Sequence, residues 1–534
     1  MKTRSIVQSS LFRLIAILLV FIGCKKDQIQ PEKPRAEETT EQRNRPKVST
    51  LEATNITYYS VRFSANILDT AGSALSEFGF VVDTLPDPTL ERNLNKLVVP
   101  VQKSGLYALI VTDVPGNKVF YYRAYAINES GPGYGKTLNF RSRDRKVHKG
   151  NVSLTTQQEV VNFGEQGFTD IDGGLNISGT VKSLEPLSKL TSIAYGLNVN
   201  GTTALENFSG LDSLEITDAA GFFHGVSFIN NAALTSFEGL HHLYKTEGGL
   251  TIADNPKLKD LKGLRGLTYN HFGSLSIQNC ASLTNLSGLE KFFLLDGSLI
   301  IKGNARMTDL SGLENLSEIT RQVILSDNPA LKSLKGLGKI QKLEALVSEN
   351  NEKLEDFDGL SSLTTLSGLK IVKNSALRNL SAFRNIESLD YLSIEYNESL
   401  HDLSGLERLN IIQQKLTLNF NALQSLNGLN HLENAEMIDL IANDNLTDLR
   451  GLDNLQQING DGFSISIALN ANLTSLNGLN KLSFAAGSVQ VFNNYKLTDF
   501  CALVPVVKNS KPGNFLTGGN AFNPNRTGIL SRCK

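Results

Sequence analysis

The residues best able to do chemistry in this 534-residue chain are four cysteines and seven histidines. The cysteines are Cys24, Cys280, Cys501 and Cys533; the histidines are His148, His224, His241, His242, His271, His401 and His431. Thiolates and imidazoles act as nucleophiles, bases or metal ligands only when partners stand at defined spacing. The histidines include no H-x-x-x-H or other zinc-type spacing. His241 and His242 are sequence neighbours between two leucines, so one is expected to face out and they are expected to share no metal. No G-x-S-x-G elbow occurs. The carboxylates Asp260, Asp309 and Asp402 recur at one position of a repeat, which implies a turn or a solvated surface. The expectation is a protein that is not an enzyme, with no catalytic residue, metal or cofactor.

Composition points the same way. Formal charge is −1, from 52 basic and 53 acidic residues, which gives no electrostatic footprint for nucleic acid. Tryptophan is absent and aromatics make up 7%, while Leu, Asn, Gly and Ser recur, a bias that suggests a repeat. One stretch imitates a nucleotide site. "SGPGYGKT" (130–137) ends as a phosphate-binding loop G-x-x-x-x-G-K-[ST] does, in Gly135-Lys136-Thr137. Ser130 stands where that motif needs glycine, and strand-like runs on both sides leave no helix N-terminus for a phosphate. A hairpin turn is expected there.

The elements that would position any site begin at the N-terminus. Lys2, Arg4 and Arg13 precede a nine-residue apolar run, Leu14 to Ile22, which is too short to span a bilayer as a helix and has the form of a signal peptide. The run ends at Gly23-Cys24, which resembles the lipobox of bacterial lipoproteins. That resemblance implies acylation of Cys24, removal of residues 1–23, and attachment to a membrane through lipid. Residues 24–46 are charged, proline-bearing and poor in large apolar side chains, and are expected to form a flexible tether.

Residues 47–143 change to period-two alternation. "YSVRFSANI" places Val61, Phe63 and Ala65 on one face, and "FGFVVD" and "VFYYRAYAIN" behave alike, with Pro115-Gly116-Asn117 as a turn. Several strands in so short a span predict a small β-sandwich. "VPGNKVFYYRAYAINESGPGYGKTLNF" resembles the closing strands of a fibronectin type III domain, through Tyr122, Arg123, Ala124, Tyr125, Asn128 and the glycine-rich turn. The resemblance implies a spacer or docking module.

From about residue 170, within an expected domain of 144–496, one sentence is repeated. "LTIADNPKLKDLKGL" (250–264), "LIIKGNARMTDLSGL" (299–313), "VILSDNPALKSLKGL" (323–337) and "LSIEYNESLHDLSGL" (392–406) align without gaps. Thirteen steps from Pro186 to Ala502 give a mean period of about 24 residues, the mark of a solenoid. Leu250 and Ile252 would lie on a strand facing inward, as Leu258, Leu261 and Leu264 continue the interior. Gly263 would allow a backbone approach that a Cβ resists. The asparagine eight residues before this glycine would bond the neighbouring coil's backbone. It recurs as Asn231, Asn255, Asn304, Asn328, Asn351, Asn374, Asn397, Asn443, Asn470 and Asn494, and Asn421 joins if its coil is one residue short. Cys280 fills the same slot, as a small buriable substitute. The repeat resembles leucine-rich repeats and, through its Asn-to-Leu spacing of three, the L domains of the insulin and epidermal growth factor receptors. Those are right-handed, β-helix-like relatives that bind protein ligands. The fold class expected is mainly β: a small sandwich followed by a parallel-sheet solenoid of about 14 coils. Residues 497–534 break the pattern and are expected to form a cap closed by a Cys501–Cys533 bridge, stabilising by about 3–4 kcal/mol on a chain-entropy model.

With catalysis unsupported, binding is the function class that remains. Outward strand positions form two columns, and Ile300, Ile324 and Val347 make an apolar run in the first. Val372, Ile441 and Phe492 lie in the second column, and Lys302, Glu349, Lys370 and Glu395 rim the apolar residues as a candidate protein-docking patch. Only one aromatic falls in these columns, which argues against glycan stacking. The reading is a lipid-anchored cell-surface binding or adhesion protein of the outer membrane, facing the exterior and taking a protein ligand. The alternatives are an envelope structural lipoprotein without an external ligand, or an accessory glycan-binding surface protein.

Overall fold

In the computed structural model, the described residues are 14–15, 44–54, 56, 60–99, 105–112, 114–217, 225–509 and 514–533. Cys24, most of the apolar leader and residues 25–43 of the expected tether lie outside them. Their contacts divide the chain into one unit up to Val147, with Phe168–Asp170, and a second comprising His148–Gly167 and Ile171 onward.

The first unit is antiparallel. One sheet joins Lys47–Thr54, Ser60–Asp69 and Gly105–Thr112, with Leu14–Ile15 on the edge beyond the last. The other joins Asn95–Val98, Glu77–Asp83, Val119–Asn128 and Gly131–Tyr134, and Leu138–Arg141 also pairs with Val119–Asn128. Inward residues of both sheets make one core in which Phe63 stacks on Tyr122 at 4.4 Å. The Tyr122 hydroxyl donates to the Leu51 carbonyl at 2.9 Å, so the ring's polar end is satisfied. The segment that imitates a phosphate loop is a hairpin arm: Asn128 pairs with Gly131 and Tyr125 with Tyr134. Asn44, near the end of the expected tether, accepts a bond from the Asn128 side chain at 2.8 Å.

The second unit is a parallel β-solenoid. Its long sheet has 19 strands, from Val152–Leu154 to Phe515–Gly518, every pairing parallel. A shorter parallel sheet runs through Ser192–Ile193, Ile216–Thr217, Lys245–Glu247, Tyr269–His271, Leu294–Leu295 and Glu318–Ile319. Inside, the repeat leucines are fully buried, each contributing about 1.5–3 kcal/mol.

The asparagine column is a continuous ladder. In Asn304 the backbone N–H donates to Asn328 Oδ1 at 3.0 Å, and Nδ2 donates to the Ile277 carbonyl of the previous coil at 2.9 Å. Such a rung ties three successive coils; the step from Asn351 to Asn374 is bridged instead by the Ser348 hydroxyl, which accepts from Asn351 Nδ2 at 3.0 Å and donates to Asn374 Oδ1 at 2.9 Å. Asn421 is a rung, receiving the Asn397 N–H at 3.0 Å. Two further rungs extend the column: Thr202 donates to Asn231 at the start, and Asn520 receives the Asn494 N–H at the end.

The glycine marker has two geometries. At Gly210, Gly239, Gly288, Gly312, Gly336, Gly405, Gly428, Gly451 and Gly478, φ lies between +102° and +119°, and a Cβ would come within 2.2 Å of the previous coil's backbone. Pro186, Gly263, Gly359, Ala382 and Ala502 sit instead in short 3-10 turns. The three non-glycine markers all belong to this second group, where φ is not left-handed, although a Cβ at Gly263 or Gly359 would still meet the previous coil's backbone at 1.9 and 2.1 Å. The recurrent carboxylates serve the same turns: Asp260, Asp309 and Asp402 each accept the backbone N–H two residues on.

Both ends are covered. Thr156 and Glu159 form a capping box on the helix Gln157–Glu165, which buries Val160 and Phe163 over the first coils. At the other end, Phe515–Gly518 continues the sheet and Cys501 is bonded to Cys533. The expected break in pattern thus applies to the leucine spacing, while strand and ladder run one coil further.

Gly312→Ala is expected to destabilise by about 2 kcal/mol or more, from positive φ together with a backbone collision. Ala382→Gly, in a 3-10 turn, should cost no more than about 1 kcal/mol. Urea unfolding measures both, and equal losses would contradict the two-geometry account.

Candidate functional site

Three features carry the residues singled out above: the ladder with its cysteine, the outward strand columns, and the turn beside them.

Cys280 is completely buried and unbridged. Its N–H donates to Asn304 Oδ1 at 3.0 Å, as an asparagine in that slot would. Its sulfur lies 3.9 Å from the Ile252 carbonyl and 3.4 Å from the Gln278 carbonyl, where neighbouring rungs direct Nδ2. Burial pushes its thiol up to about 11, only partly offset by the Asn255 amide groups facing the sulfur. A thiol held neutral in a closed core is a poor nucleophile. His241 and His242 lie with ring centroids 4.4 Å apart, His241 half-buried and His242 exposed. Burial, then the His241 charge, lowers the His242 pKa.

The outward columns are in register across the long sheet. Ile300 pairs with Ile324, Ile324 with Val347 and Val347 with Lys370. In the second column Lys302 pairs with Ser326, Ser326 with Glu349 and Glu349 with Val372. The seven predicted patch residues therefore lie on one face of four consecutive strands. The four apolar members are half-buried and Lys302 is exposed. Lys370 Nζ lies 2.7 Å from Glu349, and that bond raises its pKa. Beside the patch, the Tyr391 ring lies across Gly368, where a Cβ would meet it at 2.4 Å.

The feature that strand periodicity did not expose is the residue just before each rung. It takes left-handed backbone in every coil from Asn230 onward. Asn230, Asp254, Asn279, Asp327, Asn350 and Asn493, with Gly303 and Gly519, are the types that accept this conformation readily. Five consecutive coils depart from them: Lys373, Tyr396, Phe420, Ala442 and Leu469, with φ from +54° to +60°. Bulky residues there cost of order 1 kcal/mol each. Tyr396, Phe420 and Leu469 are also 41%, 44% and 43% exposed, so each leaves much apolar surface open to water. The two rings stack with centroids 4.6 Å apart and planes within 2°, and Lys373 Nζ lies 5.7 Å from the Tyr396 centroid. The signal was present as Tyr396-Asn397 and Phe420-Asn421, where sister coils read Asp254-Asn255 or Asn350-Asn351.

Two open polar recesses complete the surface. One of about 640 Å³ is lined by Ser367, Asn385, Glu387, Asp390, Arg408 and others, with Arg408 paired to Glu387. The other, about 450 Å³, is lined by Asn151, Gly174, Asn176, Tyr195 and Asn198.

Cys280→Asn is expected to complete the ladder and stabilise by about 1 kcal/mol, read as a raised Tm. The native Cys280 should react slowly with thiol reagents in the folded protein, faster as pH approaches 11. Rapid alkylation at neutral pH would overturn the account of a structural rung. Replacing Tyr396 and Phe420 together by Asn, the residue sister coils use, should leave Tm unchanged or raise it. Relief of strain at two positions outweighs one ring pair of about 0.5–1.5 kcal/mol. A clear fall in Tm would make the rings structural. Compared with protein-family models and with curated proteins, the chain matches none.

Proposed function

We propose that the chain is a non-enzymatic, lipid-anchored binding protein of the bacterial cell surface, with the solenoid as its recognition element and a protein as its ligand. The observation that carries this reading is the strained and exposed pair Tyr396 and Phe420. Strained backbone beneath exposed apolar rings is the pattern of a site maintained for a partner. The paired columns beside it add apolar and charged groups at fixed spacing on a rigid sheet.

The anchor rests on the leader and on Gly23-Cys24. Each buried CH₂ of an acyl chain contributes roughly 0.8 kcal/mol, so two or three chains hold a protein firmly on a membrane. The antiparallel unit, with its resemblance to fibronectin type III domains, serves as the spacer, and the solenoid is similar to leucine-rich-repeat and receptor L domains. Outer-membrane, outward-facing placement is part of the same proposal.

The test is cross-linked capture by the intact chain from host proteins, extracellular matrix and polysaccharides. Capture of a discrete protein is expected, lost in the Tyr396→Asn/Phe420→Asn double variant and reduced by Ile324→Asp. No captured protein, or capture indifferent to all these changes, removes the reading. Cys24→Ala should move the protein from membranes to the soluble fraction, and protease applied to intact cells should remove the solenoid. Continued membrane partition would refute the anchor, and protection would refute display.

A further inference from the structure

The left-handed turn column has an order that suggests what it holds. Lys373 closes one end over Tyr396, Tyr396 stacks on Phe420, and then Ala442 interrupts the side chains before Leu469 resumes them. Phe420, Ala442 and Leu469 belong to successive coils, because Asn419 pairs with Ile441 and Ile441 with Ala468. Strands lie about 4.8 Å apart, so Phe420 and Leu469 stand roughly 10 Å apart with only a methyl group between them. The observed ring spacing of 4.6 Å matches one coil. One further ring placed over Ala442 would therefore continue the stack from Phe420 and meet Leu469 on its other face. The floor beneath is Ile441, Ala442 and Ala468, all half-buried and apolar.

The ionic groups near the gap are mostly paired, and Lys496, two coils on, donates to Asn472 Oδ1 at 2.6 Å. Lys415 is held by Asp439 at 2.5 Å, and Arg450 by Asp448 at 2.5 Å. Lys373 lies at the far, closed end of the stack. Glu398 and Asp444 are exposed and form no ion pair among the described residues. Asp444 Oδ1 accepts the Ala471 N–H at 3.1 Å, which holds that side chain beside the gap.

We infer that the gap over Ala442 is a slot for one aromatic side chain of a protein partner, flanked on that partner by lysine or arginine. An apolar floor and a stacking face suit an aromatic ring, and the unpaired carboxylates suit its basic neighbours. The inference rests on the binding reading above and names the chemistry of its ligand at this position.

The chain contains no tryptophan, so the emission of a tryptophan probe belongs to the probe alone. The experiment titrates the full chain against the peptide Lys-Lys-Trp-Lys-Lys and follows tryptophan fluorescence. A saturable blue shift is expected. Ala442→Leu should fill the slot and weaken binding at least tenfold with Tm unchanged, because Leu469 already holds leucine at φ +60° in the next coil. Phe420→Asn should weaken it about tenfold. Asp444→Asn with Glu398→Gln should weaken it and flatten its salt dependence. The absence of a saturable shift, or equal binding by folded Ala442→Leu, overturns the slot. Displacement of the probe by a neutral oligosaccharide would make the stack a sugar platform and also overturn it. Because the probe is a defined peptide, its failure removes the slot alone, whereas failed capture of any protein removes the binding reading.

Discussion

The asparagine ladder is the constraint on which the solenoid depends. A single coil of about 24 residues cannot bury its leucines, so its stability comes from the neighbours stacked on it. Stacking brings backbone groups of the turn into the interior, where an unpaired donor or acceptor costs about 1–3 kcal/mol. A typical rung such as Asn304 resolves this by donating from Nδ2 to one neighbouring coil, donating from its N–H to the other, and accepting through Oδ1. An amide carries its donor and its acceptor on separate atoms, so it bonds two directions at once, which a hydroxyl such as that of Thr202 does from a single oxygen. Cys280 shows the tolerance of the scheme: it keeps the backbone bond to Asn304 and gives up the amide's strong donor and acceptor.

The ladder also creates the strain beside it. For the asparagine to turn inward, the preceding residue must reverse the chain in left-handed backbone, coil after coil. The fold thus sets a column of positions whose conformation is fixed but whose side chains project outward. Where Asn follows Asp in the column, the side chains bond across coils, Asn279 donating to Asp254 and Asn350 to Asp327, both at 2.8 Å. Where it holds Tyr396 and Phe420, that second ladder is replaced by a stack of rings open to solvent. The exchange removes hydrogen bonds and adds strain, so its benefit must lie outside the folding of this unit.

Legibility followed periodicity. Leucines, rungs and glycine markers repeat at fixed offsets, so their burial, register and close approach could be read from spacing, as could the placement of Ile300, Ile324, Val347 and Lys370 on one face. The Cys501–Cys533 bridge was legible because both residues bracket the end of the repeat. Single-copy features were harder. Thr156 and Glu159 spell a capping box, yet the helix they start occurs once and lies ahead of the first clear repeat. Asn520 is a rung without the leucines that mark the others. Tyr396 and Phe420 were hidden for a different reason: their outward direction comes from a turn, and the alternation of strands gives no rule for it. The assignment of aromatics to faces was therefore incomplete, and the scarcity of aromatics in the strand columns says nothing about the edge.

A solenoid of this kind separates stability from recognition more fully than a globular core does. Inward positions answer to packing, ladder and marker positions to the backbone, and outward strand positions to neither, so the last can vary coil by coil with little effect on folding. The turn column is the exception, since its conformation penalises most side chains. That makes it informative: an outward strand residue such as Ile324 can be explained by strand preference alone, whereas Phe420 in left-handed backbone cannot be explained by any local preference. Of all exposed groups on this face, the strained ones are the least compatible with accident, and they lie together on adjacent coils.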